Sequence, residues 1–267
     1  MNRRLRLILT VVFVGLSVLF ILKINNNPLL NHDLSCDVWS NFSYINARQY
    51  QTCLTWHRDD AFWGVQHIRH TAFQGLLNSS SLIVEIGGNT GLDTSRFVQL
   101  YDPYIISFEP LAQMSKDLMD KFRDNSKIQI QPYGLGDRAR TISIEPFDDS
   151  NTGTSIFRKL PSKDSSKIER IRLLDIVEVI KNIRKDRTRD GMIDLISINC
   201  EGCEFEILPV LVRHDLLQYF RIIQFASHMD VLRDSPCIYC QMEQVLQRTH
   251  SIQYRYVMLW EAWTLKK

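Results

Sequence analysis

Apolar residues in this chain gather into short runs separated by periodic stretches. The runs Leu82 to Ile86, Ile105 to Phe108, Ile128 to Gln131, Ile193 to Ile198 and Ile222 to Ala226 have the length and β-branched content of strands. Between them, Leu111, Met114, Leu118 and Phe122 recur at helical spacing, as do Ile176, Val179, Ile180 and Ile183, and another helix is predicted over Leu92 to Tyr101. Before the first run, Asp59 or Asp60 can cap a helix on which Phe62, Val65, Ile68, Ala72 and Phe73 share a face. Ser235-Pro236 starts a late helix carrying Ile238, Met242, Val245 and Leu246, and Tyr254 to Trp260 predicts a closing strand or hairpin arm. No internal repeat is visible. Alternation of this kind predicts an α/β domain with a mainly parallel central sheet, helices on both faces, and ligands at the carboxyl ends of the strands.

One apolar stretch departs from this pattern. From Leu7 to Leu22 there is no charge and only Thr10 and Ser17 are polar, while Arg3, Arg4, Arg6 and Lys23 flank it. A spanning helix needs about 20 apolar residues, and roughly 17 serves in thinner membranes. Leu5 and the snorkelling flanks bring the stretch to that limit. A cleaved signal peptide would end at a small-x-small site, but the chain continues Lys-Ile-Asn-Asn-Asn-Pro. The expectation is therefore an uncleaved anchor at 7–23, a cytosolic tail at 1–6, a stem and lead-in segment at 24–55, and a lumenal domain at 56–267. This is single-pass type II topology, in the Golgi or elsewhere in the secretory pathway. The sequons at Asn41 and Asn78 agree with it.

The chain has 267 residues, 45% of them hydrophobic and 23% charged, which excludes a mostly disordered protein. Thirty-two Lys plus Arg against thirty Asp plus Glu is too balanced for a dedicated nucleic-acid binder. Residues 1–23 hold four of the basic residues and no acid, so the remainder carries 28 basic and 30 acidic residues. Residues 158–190 are the local exception, with eleven basic and six acidic side chains. They read as a solvated face, or as a guide for an anionic acceptor. Cys36, Cys53, Cys200, Cys203, Cys237 and Cys240 allow fifteen pairings. In a lumenal compartment disulfides are favoured over a four-cysteine zinc site, and Cys36 and Cys53 are placed to staple the lead-in segment. His67 and His70, three residues apart, read as surface residues of the early helix, and no metal is expected.

The most informative segment is Glu85-Ile86-Gly87-Gly88-Asn89-Thr90-Gly91, where a strand enters a glycine-rich turn before a helix. Such a turn lets backbone approach a ligand at free helix N–H groups. Glu109 closes the next strand, eighteen residues after Gly91, where a carboxylate can accept both hydroxyls of a ribose. The glycine spacing does not fit Gly-x-Gly-x-x-Gly, which argues against a dinucleotide, and Glu85 before the turn suits a cofactor with a cationic amino-acid end.

From about Leu82 to Ala226 the chain resembles the FkbM-type family of S-adenosylmethionine-dependent methyltransferases. Five pieces carry the resemblance, in family order: the turn from Glu85 to Gly91, Ser107-Phe108-Glu109-Pro110, Gly134-Leu135-Gly136-Asp137, Leu174-Asp175, and the block from Ile198 to Glu204. The resemblance implies a Rossmann-like methyltransferase fold with S-adenosylmethionine as cofactor. It places Glu85, Gly87 and Asn89 at the methionine end, with Gly88 and Gly91 in the same turn, Glu109 at the ribose and Asp137 on the adenine side. Ser197 and Asn199 depart from it, standing where the family usually has Lys and Asp.

A sugar hydroxyl is a poor nucleophile and needs a base or a metal. His228, following the fifth run, is the first candidate base because its reference pKa of about 6.5 suits proton removal, and Glu201 is the second. The functional expectation is O-methylation of a glycan or glycoconjugate hydroxyl. The alternatives are a catalytically silent binding protein, motivated by Ser197 and Asn199, or methylation of a protein or small molecule. Asn151-Thr152-Gly153-Thr154-Ser155 reads as a turn able to close over the acceptor, or as an ordinary loop.

Overall fold

The computed structural model describes residues 45–145, 153–157 and 168–267. The tail, the anchor, most of the stem, Cys36, the Asn41 sequon and Asn151-Thr152 lie outside them. No helix among the described residues is long and apolar enough to cross a membrane. All the described residues fall in one compact unit, Leu34–Lys267.

The central sheet has seven strands: β1 (Leu82–Ile86), β2 (Tyr104–Phe108), β3 (Ile128–Gln131), β7 (Ile193–Ile198), β8 (Phe220–Ala226), β9 (His250–Tyr256) and β10 (Trp260–Leu265). Their order is β3-β2-β1-β7-β8-β10-β9. Neighbours from β3 to β8 are parallel, and β10 runs antiparallel between β8 and β9. This is a Rossmann-like arrangement, a mainly parallel sheet with one antiparallel strand. Every residue of β1 is buried, as expected of a strand covered on both faces. The stretch from Tyr254 to Trp260 is not one strand: β9 ends at Tyr256, the chain turns through Met258 at φ 55°, and β10 begins at Trp260.

A second sheet, β4 (Gly134–Gly136), β6 (Glu169–Asp175) and β5 (Arg140–Ile144), has the order β4-β6-β5. Along β6, Ile171 and Leu173 are buried while Arg170 and Arg172 are exposed, so the basic residues of this strand point away from the packed side.

The helices are α1 (Ala47–Cys53), α2 (Phe62–Val65), α3 (Ile68–Thr71), α4 (Leu92–Tyr101), α5 (Ala112–Phe122), α6 (Ile176–Arg187), α7 (Glu204–Arg213) and α8 (Ser235–Thr249). Caps follow the sequence: Asn46 accepts from the N–H groups of Arg48 and Gln49, and Asp175 accepts from that of Val177. The early helix expected through Phe73 is instead two single turns. Gly64 lowers helix propensity there, and bonds such as Gly64 N–H to Ala61 C=O tighten the chain to i→i+3 spacing. Residues 45–55 of the lead-in segment pack on the folded body. Cys53 is buried and disulfide-bonded to Cys240 of α8, and the Asn46 N–H donates to Gln244. Cys237 is disulfide-bonded as well.

Candidate functional site

A cavity opens at the carboxyl ends of β1, β2 and β7, holding about 640 Å³ of space that is partly open to solvent. Gly87, Asn89 and Glu109 line one side, and Asn199, Cys200, Glu201 and Cys203 line the end of β7. The small sheet supplies an apolar wall of Leu135, Ile144, Ile171 and Leu173, with Leu111 beside it.

Gly87 has φ +93°, and a Cβ on it would lie 2.0 Å from the Asn199 carbonyl oxygen. Only glycine lets β1 turn that close to the end of β7. Glu109 ties the turn to β2: Oε2 accepts from the Asn89 N–H at 2.8 Å and Oε1 from the Leu111 N–H at 3.0 Å. Burial pushes its pKa above the usual carboxylate range, and those two N–H bonds oppose the shift. Each oxygen keeps lone-pair capacity for a further donor from the cavity. A carboxylate beside glycine-lined backbone, facing an apolar slot, fits the ribose and base of a nucleoside.

Gly87, Asn89, Glu109 and Glu201 are thus brought together as expected, and five other expected residues are not. Glu85 lies beneath the turn, on the side away from the cavity, because side chains alternate along β1. One of its oxygens accepts from Thr94 at 2.6 Å and from Ser107 at 2.5 Å, while Oε1 has no protein partner. Burial pushes its pKa up to about 7. Ser107 and Ser197 flank it in register on β2 and β7, and Ser197 accepts from Gln224 of β8. A polar stripe therefore crosses the buried sheet face under the site. Gly88 and Gly91 back onto Leu118 of α5 and serve packing. Asp137 is drawn away from the cavity by Arg140, at 2.5 Å, which also pairs with Glu206 of α7.

His228 is not a free base. Its Nδ1 lies 3.0 Å from Glu204 Oε1 and its Nε2 3.3 Å from Glu201 Oε1. Burial alone would lower its pKa, but the two carboxylates reverse this and push it up to about 10. It is an imidazolium at neutral pH with both nitrogens engaged, so it cannot take a proton. Glu204, fully buried, also accepts from the N–H groups of His228 and Gly202 and so anchors the turn between β7 and α7. Glu201 sits in that turn at φ 56° and faces the cavity.

His70 is buried rather than on the surface, with Nε2 2.7 Å from Asp93 Oδ1. Burial alone would raise the Asp93 pKa, but His70, Arg69 and Asn199 hold it below its ordinary value. Cys200 and Cys203 form a disulfide in the cavity wall, and no cluster of three metal-ligating side chains occurs among the described residues. Sequence reasoning missed Glu204, the two cavity cysteines and the apolar wall. The period-two alternation of Ile171 and Leu173 was the available signal for the wall.

No protein-family model and no curated protein matches the chain. Among solved structures it is similar to an O-methyltransferase from Bacillus cereus in complex with SAH, at 8% identity and TM-score 0.42, covering 85% of this chain and 95% of that one. It is also similar to an rRNA methylase from Streptococcus thermophilus, at 12% identity and TM-score 0.42, covering 76% and 95%. A third similar structure is the fibrillarin pre-rRNA processing protein of Methanococcus jannaschii, at 10% identity and TM-score 0.40, covering 70% and 67%.

Proposed function

We propose that the chain is an S-adenosylmethionine-dependent methyltransferase that methylates a hydroxyl of a glycan or glycoconjugate, held in the secretory pathway by the anchor at 7–23. The observation that carries the cofactor reading is the Glu109 carboxylate, hydrogen-bonded to the glycine turn and facing the same cavity as Gly87. Glu109 would receive the ribose hydroxyls, Gly87 and Asn89 would border the methionine end, and Leu135, Ile171 and Leu173 would cover the adenine. When bound, the cofactor supplies a methyl group on a sulfonium, already activated for transfer to a nucleophile.

With His228 committed as an imidazolium, Glu201 is the group assigned to take the acceptor proton. It lines the cavity at the end of β7, and Glu204 and His228 hold its turn in place. The glycan and the lumenal setting rest on the apolar segment, its basic flank and the family resemblance. The second reading, a silent binding protein, draws on the same loss of His228 as a base.

Titrating S-adenosylmethionine into the protein by calorimetry tests the cofactor reading. Glu109→Ala is expected to weaken binding ten-fold or more, about 1.4 kcal/mol or more. An unmutated chain that binds no cofactor would sink both readings. Transfer of labelled methyl to members of a glycan array separates them, since label that stays on the cofactor across a broad acceptor set supports the silent protein.

A further inference from the structure

The turn after β7 holds a group that methyl transfer does not require. Cys200 and Cys203 are bonded across Glu201 and Gly202, and Cys200, Glu201 and Cys203 all line the cavity. We propose that this disulfide is a redox site that exchanges with small-molecule thiols, and that its opening weakens cofactor binding at the adjoining wall. The ligand in this proposal rests on the methyltransferase reading; the sulfur chemistry does not.

Three observations set this bridge apart from Cys53–Cys240. Access differs, since Cys200 is half-buried whereas Cys53 and Cys240 are buried in the core between α1 and α8. Loop size differs, since the two bridges span 3 and 187 residues of sequence separation, and a short loop gains little from closure. The reduced form is also provided for. Cys203 is the N-cap of the ten-residue α7, where free N–H groups favour a thiolate, and Cys200 Sγ lies 3.7 Å from Glu204 Oε2, an acceptor for its S–H once reduced.

The exchange balances without other reactants. A thiolate from a small thiol attacks Cys200 Sγ, the S–S bond breaks, and its electron pair leaves on Cys203, giving a mixed disulfide on Cys200. A second thiol attacks the small molecule's sulfur and releases Cys200. Two small thiols are oxidised to one disulfide, the protein disulfide is reduced to two thiols, and the protons of the incoming thiols end on the two cysteines.

The effect on the cavity follows from the backbone. Glu201 at φ 56° and Gly202 at φ +114° are both left-handed, a conformation unfavourable for glutamate. The bridge holds these two residues in their turn. Once it opens, Glu201 is free to relax toward negative φ, which takes its carboxylate away from His228 and moves the wall that Cys200 and Cys203 form.

The test equilibrates the full-length protein in glutathione buffers from oxidising to reducing. Free thiols are trapped by alkylation and located by peptide mass spectrometry, and S-adenosylhomocysteine is titrated calorimetrically into each sample. The expected result is that Cys200 and Cys203 become alkylated together before Cys53 and Cys240, with affinity falling at least three-fold in the same buffers. Cys200→Ser/Cys203→Ser should show the lowered affinity in every buffer. Alkylation of Cys53 and Cys240 first, or an affinity indifferent to the buffer, overturns this proposal and leaves the methyltransferase reading standing. If neither form binds S-adenosylhomocysteine, both fall together.

Discussion

Glu85 and His228 both hold a proton well above their ordinary range, for opposite reasons. Glu85 does so because its charged form is desolvated and Oε1 finds no donor; His228 does so because Glu204 and Glu201 favour its charged form in spite of burial. Linkage gives both the same sign. Between pH 4.5 and about 7 the folded chain keeps the Glu85 proton that the unfolded chain has lost, so stability declines as pH rises through that window, by about 3 kcal/mol. His228 acts in the next window, its contribution full below pH 6.5 and lost as pH rises through about 10. Urea unfolding of the wild type and of Glu85→Gln at pH 4.5 and pH 8 isolates the first effect. The stability difference between them should move by about 3 kcal/mol in favour of the variant from the lower pH to the higher, and a pH-independent difference would refute the assignment. Neither shift was legible in the sequence. His228 looked like a base because its reference pKa suits one, and what overrules that value is Glu204, 24 residues away in the chain and 3.0 Å away in space. His70 was misread for the same reason, its partner Asp93 lying on a different helix.

Short apolar runs were the readable elements, the edge strand β3 included. β1, β2, β7 and β8 announce themselves as short apolar runs because both faces are covered, and the glycine turn was readable because a strand, a sharp turn and a helix follow one another within a few residues. The small sheet was hidden: β4 has three residues, and the arginines on the outer face of β6 gave its segment the look of a solvated basic surface. The residues that fill the turn could be named in advance, but not which way each faces, and that is what separated Gly87 from Gly88 and Gly91. Gly87→Ala places a methyl group 2.0 Å from the Asn199 carbonyl oxygen at a positive φ. It should cost roughly 2–4 kcal/mol from overpacking and backbone strain, and weaken cofactor binding at least ten-fold. Gly64→Ala, with nothing within 4 Å of the new Cβ, should stay within about 1 kcal/mol of wild type and bind normally. Thermal unfolding with calorimetry on both variants checks this, and equal effects at the two positions would show that the close approach of β1 to β7 does not govern the turn.

At the scale of the molecule, the Cys53–Cys240 and Cys200–Cys203 bridges are expected to act on different properties. The sequence permitted every pairing because pairing depends on distances that spacing does not encode, and it placed residues 24–55 outside the domain because they follow the apolar segment and begin with a stretch rich in Asn. In the fold, Cys53 joins α1 to α8 across 187 residues of chain, supported by the Asn46–Gln244 hydrogen bond, and neither helix lines the cavity. Closing a loop of that length restricts the unfolded chain by at most about 5 kcal/mol, and by less if a second bridge already shortens the loop. Cys53→Ala/Cys240→Ala should therefore lower the melting temperature clearly under oxidising conditions, where the wild-type bridge is intact, while cofactor affinity measured well below that temperature stays within two-fold of wild type. Opening Cys200–Cys203 should give the reverse pattern, a small change in melting temperature with a loss of affinity. The two variants thus exchange their effects: if removal of the α1–α8 bridge weakens binding as much as removal of the cavity bridge, the cavity is not a local structure at the strand ends but depends for its shape on the core that Cys53 and Cys240 share with Ile86, Phe108 and Cys203.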